Sequence, residues 1–237
     1  MKTDTYDTIV DRRHCAFTAT LLLFLLSGCS ALLPTASPQH STFYSLNPAR
    51  NTTSPNQGVG RTAVLKAPTL LVSPVRATAG FDSHRIIYVR QPHKLEYFAR
   101  SEWIDTPSRM LAPLVALAIE SSGAFRAVVS APSSASADLQ LDMEILQLQH
   151  EFSESPSRVR FAVRVHLVEE GRRQVIASRD FESVVLADSD DPYGGVLAAN
   201  SAVQTVLAHL SAFCAEAASD WQMRERDNDP ALRNKLR

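Results

Sequence analysis

The sequence predicts an α+β domain: a largely antiparallel sheet with two main helices packed on one face. Three observations carry this. Between residues 137 and 187, three long runs alternate apolar and polar side chains with the period of a half-buried strand. From Tyr193 to Trp221, Val196, Val203, Leu210 and Ala217 recur every seven residues, with Ala199, Val206 and Phe213 between them, one apolar stripe fit to cover a sheet. Upstream, Thr106-Pro107 opens a leucine-rich segment that Gly123 closes, the start and stop signals of a helix. A chain of 237 residues holds one such domain plus tails.

The N-terminus stands apart from this domain. The apolar run from Ala16 to Leu26 is eleven residues long, too short to span a bilayer, which takes about 20. It has the length of a signal-peptide core, and Arg12 and Arg13 precede it, although Asp4, Asp7 and Asp11 dilute that basic end. Leu26-Ser27-Gly28-Cys29 resembles the bacterial lipoprotein lipobox, whose cysteine is acylated and becomes the mature N-terminus. That resemblance makes residues 1–28 a lipoprotein signal peptide, Cys29 the lipidation site and residues 29–41 a Pro/Ser-rich tether. Ser30 after the cysteine leans toward the outer membrane, facing the periplasm. Cys15 then leaves with the signal, Cys29 is blocked and Cys214 stands alone, among Ala and Phe on a helical pattern, as a small buried hydrophobe rather than a reactive thiol.

The elements of the domain, residues 42–222, follow in order. "STFYSL" suits a short strand, and residues 47–62, rich in Pro, Asn and Gly, a loop. "TLLVSPVR" is β-rich, with Pro74 marking an edge or bulge. Residues 84–100 read as two strands around a turn at Gln91-Pro92-His93-Lys94; Ile86, Tyr88 and Arg90 share one face of the first arm, and Leu95 and Tyr97 one face of the second, opposite Glu96 and Phe98. In the first helix Met110, Leu111, Leu114, Leu117 and Ala118 form the apolar face, and Pro113 should kink it or shorten its first turn. "AFRAVVS" is a short strand. In the first long strand the phase slips between Ile145 and Leu146, which predicts a β-bulge there. In the second, Val159, Phe161, Val163, Val165 and Leu167 face the core, while Arg158, Arg160, Arg164 and His166 face out. "EEGRRQ" turns the chain into the third, and "DSDDP" caps and turns it into the last helix. The charged segment 223–237 is read as a disordered tail.

Chemistry is sparse. A net charge of -1 and a pI near 6.7 argue against a nucleic-acid partner, which calls for a basic footprint. No phosphate-binding G-x-x-x-x-G-K-[ST], G-x-S-x-G elbow or H-E-x-x-H occurs. The seven histidines are scattered, and "DSDDP" lacks the spacing of a calcium loop, so no metal, cofactor or catalytic residue is assigned. The arginine row is either a solvated face or a site for an anionic partner.

The unusual stretch is "RIIYVRQPHKLEYFARSEWIDTP". Tyr88, Tyr97, Phe98 and Trp103 fall within sixteen residues of a chain that is 7% aromatic, and Arg90 stands among them. Aromatics interleaved with Arg are what interface cores use; for Tyr97 and Trp103, plugging the core is an equal alternative. The order of motifs then resembles a family: the lipobox, Tyr44-Ser45-Leu46, Gly80, the Ile86-x-Tyr88-x-Arg90-x-Pro92-x-x-Leu95-x-Tyr97 run, Trp103, Pro107, the Leu-rich helix, Gly123-x-Phe125-x-x-Val128 and Trp221. It is similar to the ABC-type transport auxiliary lipoproteins, the PqiC-like group. That resemblance implies a non-catalytic, lipid-anchored accessory subunit of a system with an MCE-type substrate-binding protein and an ABC permease and ATPase, moving lipids between the two membranes. A homo-oligomer, ring-like in form, fits the same picture. The residues alone leave two alternatives open, an envelope assembly lipoprotein and a tethered periplasmic hydrolase.

Overall fold

The structure is a computed structural model that describes residues 40–47 and 67–228. The predicted signal peptide, Cys29, all but the end of the tether, most of the 47–62 loop and residues 229–237 lie outside the described residues. From Ser41 onward the chain forms one compact unit.

Among the described residues this unit has nine strands and two helices: β1 (Thr42–Tyr44), β2 (Thr69–Val72), β3 (Arg76–Ala77), β4 (Arg85–Gln91), β5 (Lys94–Trp103), α1 (Pro107–Glu120), β6 (Ala127–Ser130), β7 (Leu139–Glu151), β8 (Arg158–Glu169), β9 (Gln174–Leu186) and α2 (Pro192–Asn228). The sheet is organised around β7. Along one side β7 pairs with β8 over its whole length, and β8 with β9, both antiparallel. Along its other side three short strands follow one another, β2, β3 and β4, each parallel to it. β2 carries β6 outside it, and β4 carries β5 and then β1. The result is α+β as predicted, with long antiparallel ladders and short parallel additions.

The local devices match their residues. Pro74, which has no N–H to give, falls in the gap between β2 and β3; the ladder resumes on either side through Ser73 N–H to Leu141 O (3.0 Å) and Thr78 N–H to Ile145 O (2.9 Å). The predicted bulge is present: Ile145 faces Val163 and Gln147 faces Ala162, which leaves Leu146 as the extra residue. Its carbonyl accepts from Thr78 Oγ1 at 3.0 Å. The predicted β4–β5 turn forms with Gln91 opposite Lys94 and His93 at φ 67°.

The core lies between the sheet and the helices. Val159, Phe161, Val163, Val165 and Leu167 of β8 are at most 2% exposed, as their alternation requires. The stripe of α2 is buried from Val196 to Ala217 as predicted, and packs on β8 and β9. This helix has the length and composition to cross a membrane, with half of its most apolar window buried in the domain. It runs past Trp221 to Asn228, so residues 223–228 are helix and not disordered tail; Arg172 on the β8–β9 turn reaches Glu225 at 2.8 Å and ties these turns to the sheet.

The apolar face of α1 differs from the prediction. Its buried row is Leu111, Val115 and Ile119, while Leu117 is 58% exposed. At 3.6 residues per turn, Leu117 lies about 200° round from Val115, so a row four residues apart turns it outward. α1 begins at Pro107 and runs through Pro113 as one element, with Pro113 on the exposed side.

Candidate partner interface

The five aromatic and arginine positions singled out by the sequence separate into three places. Tyr88 of β4 and Phe98 of β5 share one face, ring centroids 4.7 Å apart, and the Arg90 guanidinium lies 5.0 Å above the Tyr88 ring. Tyr97 is on the opposite face of the hairpin, 54% exposed, with the Arg85 guanidinium 3.8 Å over its ring. Trp103 is 3% exposed and belongs to the core, which corrects its reading as an interface residue. The reason is local: Trp103 follows an irregular stretch of β5, where the register with β4 shifts between Ile87–Tyr97 and Arg85–Glu102, and its N–H is held by His84 O at 2.7 Å.

The Tyr88–Phe98 pair extends into a larger cluster. Phe152, just past β7, meets Tyr88 edge-on at 5.8 Å and Phe98 at 6.3 Å. His150 packs on Phe152 at 4.2 Å and on Phe98 at 6.2 Å. β4 brings these rings together because Tyr88 and Val89 pair with His150 and Glu151 at the very end of β7. Beyond Val89 the hairpin has no β7 to pair with, and Arg90, Gln91, Lys94 and Leu95 overhang the sheet, all exposed.

Beneath the cluster sits a polar knot that sequence reasoning missed. His150 is 2% exposed; its Nε2 shares a 2.8 Å hydrogen bond with Ser157 Oγ. The Ser157 N–H donates to Asp190 Oδ1 at 2.9 Å. Asp191 caps α2, accepting from the Gly194 N–H at 2.9 Å, the capping role expected of "DSDDP". Two glycines allow α2 to start here. A Cβ on Gly194 would lie 2.3 Å from Ser189 O, and one on Gly195 2.4 Å from His150 Nδ1. Burial pushes the His150 imidazole pKa down, opposed by the carboxylates of Asp190 and Asp191. The Ser157 hydrogen bonds hold Asp190 below the ordinary carboxylate range, and the Gly194 amide does the same for Asp191.

A serine on a histidine invites a catalytic reading, and the geometry opposes it. The carboxylate bonds to Ser157 rather than to the histidine, His150 Nδ1 abuts Gly195, and Ser157 is fully buried. Two surface depressions among the described residues, about 330 and 280 Å³, are lined by Leu71, Ala137 and Gly171 and by Ser73, Asp142 and Met143, and neither includes His150, Glu151, Asp190 or Asp191. No metal-ligating group of three or more side chains occurs among the described residues.

The arginine row is a solvated, paired face. Arg158 and Arg160 converge on Glu151 at 2.9 and 2.7 Å, Arg160 also meets Glu182, and Arg164 pairs with Asp180 at 2.8 Å. Burial alone would raise the Glu151 carboxyl, but hydrogen bonds from Arg160, Gln149 and Arg158 outweigh it and bring it down to about 2.

No curated protein matches the chain. Among solved structures, protein XCC0632 from Xanthomonas campestris superposes with a TM-score of 0.66 at 21% identity, over 77% of this chain and 99% of that one. The crystal structure of an uncharacterized protein gives 0.55 at 15% identity, over 75% and 97%. PelC from Paraburkholderia phytofirmans, crystallised as a dodecamer, gives 0.40 at 14%, over 62% and 88%. The first two share the fold. The model of the ABC-type transport auxiliary lipoprotein component family matches residues 44–211, from the end of β1 into the middle of α2. The chain belongs to that family of ABC-type transport auxiliary lipoprotein components.

Proposed function

We propose that this chain is a lipid-anchored accessory subunit of an ABC-type transport system, working in the periplasm with an MCE-type substrate-binding protein and its permease and ATPase in lipid traffic between the inner and outer membranes. Membership of the auxiliary lipoprotein family over residues 44–211 carries this reading. The lipobox-like Leu26-Ser27-Gly28-Cys29 supports an anchor at Cys29, and Ser30 supports the outer membrane.

The partner-binding element is the β4–β5 hairpin. It overhangs the sheet beyond the end of β7, carries Tyr88, Arg90 and Phe98 on one face and Tyr97 with Arg85 on the other, and rests on Phe152 and His150. An aromatic surface rimmed by arginine is the composition of protein-binding hot spots. Its occupant is the MCE-type protein or the permease, and further copies of this chain would multiply such hairpins around a ring.

Crosslinked pull-down of the full-length, Cys29-anchored chain from membranes tests the reading. An MCE or permease component should be recovered, and Tyr88→Ala with Phe98→Ala should abolish recovery while the domain stays folded. Recovery of neither component from wild type would sink it. Separately, Cys29→Ala should release the chain from membranes or leave its signal uncleaved.

A further inference from the structure

A second surface of the domain is apolar, and it surrounds the point where the chain enters the fold. Phe43 on the three-residue edge strand β1 is 56% exposed. Ile104, just after β5, is 59% exposed, and its N–H donates to Tyr44 O at 2.7 Å. Phe43 lies opposite Glu102, two residues before Ile104, so alternation puts Phe43 and Ile104 on the same side. Round the edge of β1, the Tyr44 ring lies 6.4 Å from that of Tyr193, which is 58% exposed on the first turn of α2. Leu197 follows one helical turn later at 42%. Asn200 ties the two elements together, donating to Ser45 O at 3.2 Å and accepting from Asn47 N–H at 2.8 Å.

We propose that this patch of Phe43, Ile104, Tyr193 and Leu197 seats the domain on the surface of the bilayer that holds its anchor. The inference rests on the Cys29 anchor proposed above. Twelve residues separate Cys29 from Thr42, where β1 begins. Fully extended they reach at most about 40 Å, which ties β1, and the patch around it, within that distance of the anchor. Its composition suits the interface, where aromatic rings sit at headgroup level with aliphatic groups below. Attraction to anionic lipid is not its basis: the adjacent charges Asp105 and Arg109 pair with each other at 3.2 Å. A contact of this size holds little on its own; it orients a domain that the acyl chains already retain. The Gln91–Lys94 end of the hairpin lies six residues along β4 from the Arg85–Glu102 pair beside the patch, about 20 Å away, and stays free for a partner.

The test uses the full lipidated chain reconstituted in vesicles of phosphatidylcholine and phosphatidylethanolamine. An environment-sensitive fluorophore is placed by Phe43→Cys, Tyr193→Cys or, on the far edge strand β9, Val184→Cys. Cys214 is buried and does not compete for label. Co-flotation with the vesicles reports the anchor; quenching by lipids spin-labelled near the headgroup reports the seating. Labels at 43 and 193 should lose most of their emission and the label at 184 none, unchanged when phosphatidylglycerol replaces part of the phosphatidylcholine. A chain that floats with the labels at 43 and 193 unquenched overturns the seating and leaves the anchor intact. A blue shift at 43 without lipid quenching would mean that a protein surface covers the patch, and quenching only with phosphatidylglycerol would mean charge attraction; either overturns the proposal. A chain that does not float overturns the anchor and the seating with it.

Discussion

Replacing Glu151 by Gln should reveal how much of the domain's stability depends on one carboxylate. Glu151 closes β7 beside the aromatic cluster, its side chain is 11% exposed, and it accepts from Arg158, Arg160 and Gln149. These bonds lower its pKa from 4.5 to about 2. At about 1.4 kcal/mol per unit, that depression corresponds to about 3 kcal/mol of stability. Because the folded-state pKa is the lower one, this contribution is fully present above pH 4.5 and is lost as pH falls toward 2. Glu151→Gln should therefore unfold at lower temperature near neutral pH, by roughly 5–10 °C for a domain of this size. The gap between wild type and variant should close as the pH is lowered from 4.5. His150 acts in a higher window: its folded-state pKa is depressed below 6.5 by burial, so the unfolded chain binds its proton first and stability falls as pH drops below 6.5. His150→Gln should flatten that upper limb and leave the lower one. Thermal unfolding followed by circular dichroism from pH 8 to 3 measures both. Equal melting temperatures for wild type and Glu151→Gln at pH 7 would show that the Glu151 carboxylate does not stabilise the domain.

Further predictions concern packing. Gly195→Ala should destabilise by about 1–3 kcal/mol, because its Cβ would lie 2.4 Å from the buried His150 ring; an unchanged denaturant midpoint would contradict the close approach. Leu111→Ala should cost about 2–5 kcal/mol, whereas Leu117→Ser should stay within about 0.5 kcal/mol, a contrast readable in urea titration that checks which way α1 faces. Cys214 is buried on α2 and burial pushes its thiol up to about 12. A thiol reagent at pH 8 should label it only after denaturation, and rapid labelling of the native domain would contradict its burial.

What was legible in the sequence follows from where the information is local. β7, β8, β9 and α2 each bury one face along many consecutive residues, so period alone placed Val159 to Leu167 and Val196 to Ala217, and a break in period located the bulge at Leu146. The short strands carry too few residues for a period to show their partners, and their parallel docking along β7 could not be read. α1 misled because its 14 residues hold apolar side chains on most sides, including the exposed Leu117. At the site, Tyr88, Arg90 and Phe98 stood out as neighbours in sequence. Their base, Phe152 and His150, arrives from a strand more than fifty residues on, and Ser157, Asp190 and Gly195 from further elements. The "HEF" at the end of β7, an aromatic beside a histidine at a strand terminus, was the one local hint. Trp103 resembled its aromatic neighbours in sequence, but a register shift in β5 sends it to the core.

The role proposed for the overhanging β4–β5 hairpin is to bind a component of the transport system. A photo-crosslinking amino acid at Arg90, exposed beside Tyr88, measures this most directly, with one at Val184 on β9 as reference. In intact cells the Arg90 position should capture an MCE-type or permease subunit and the Val184 position should not. A folded, membrane-anchored chain that captures neither subunit from Arg90 would exclude the hairpin as the binding element.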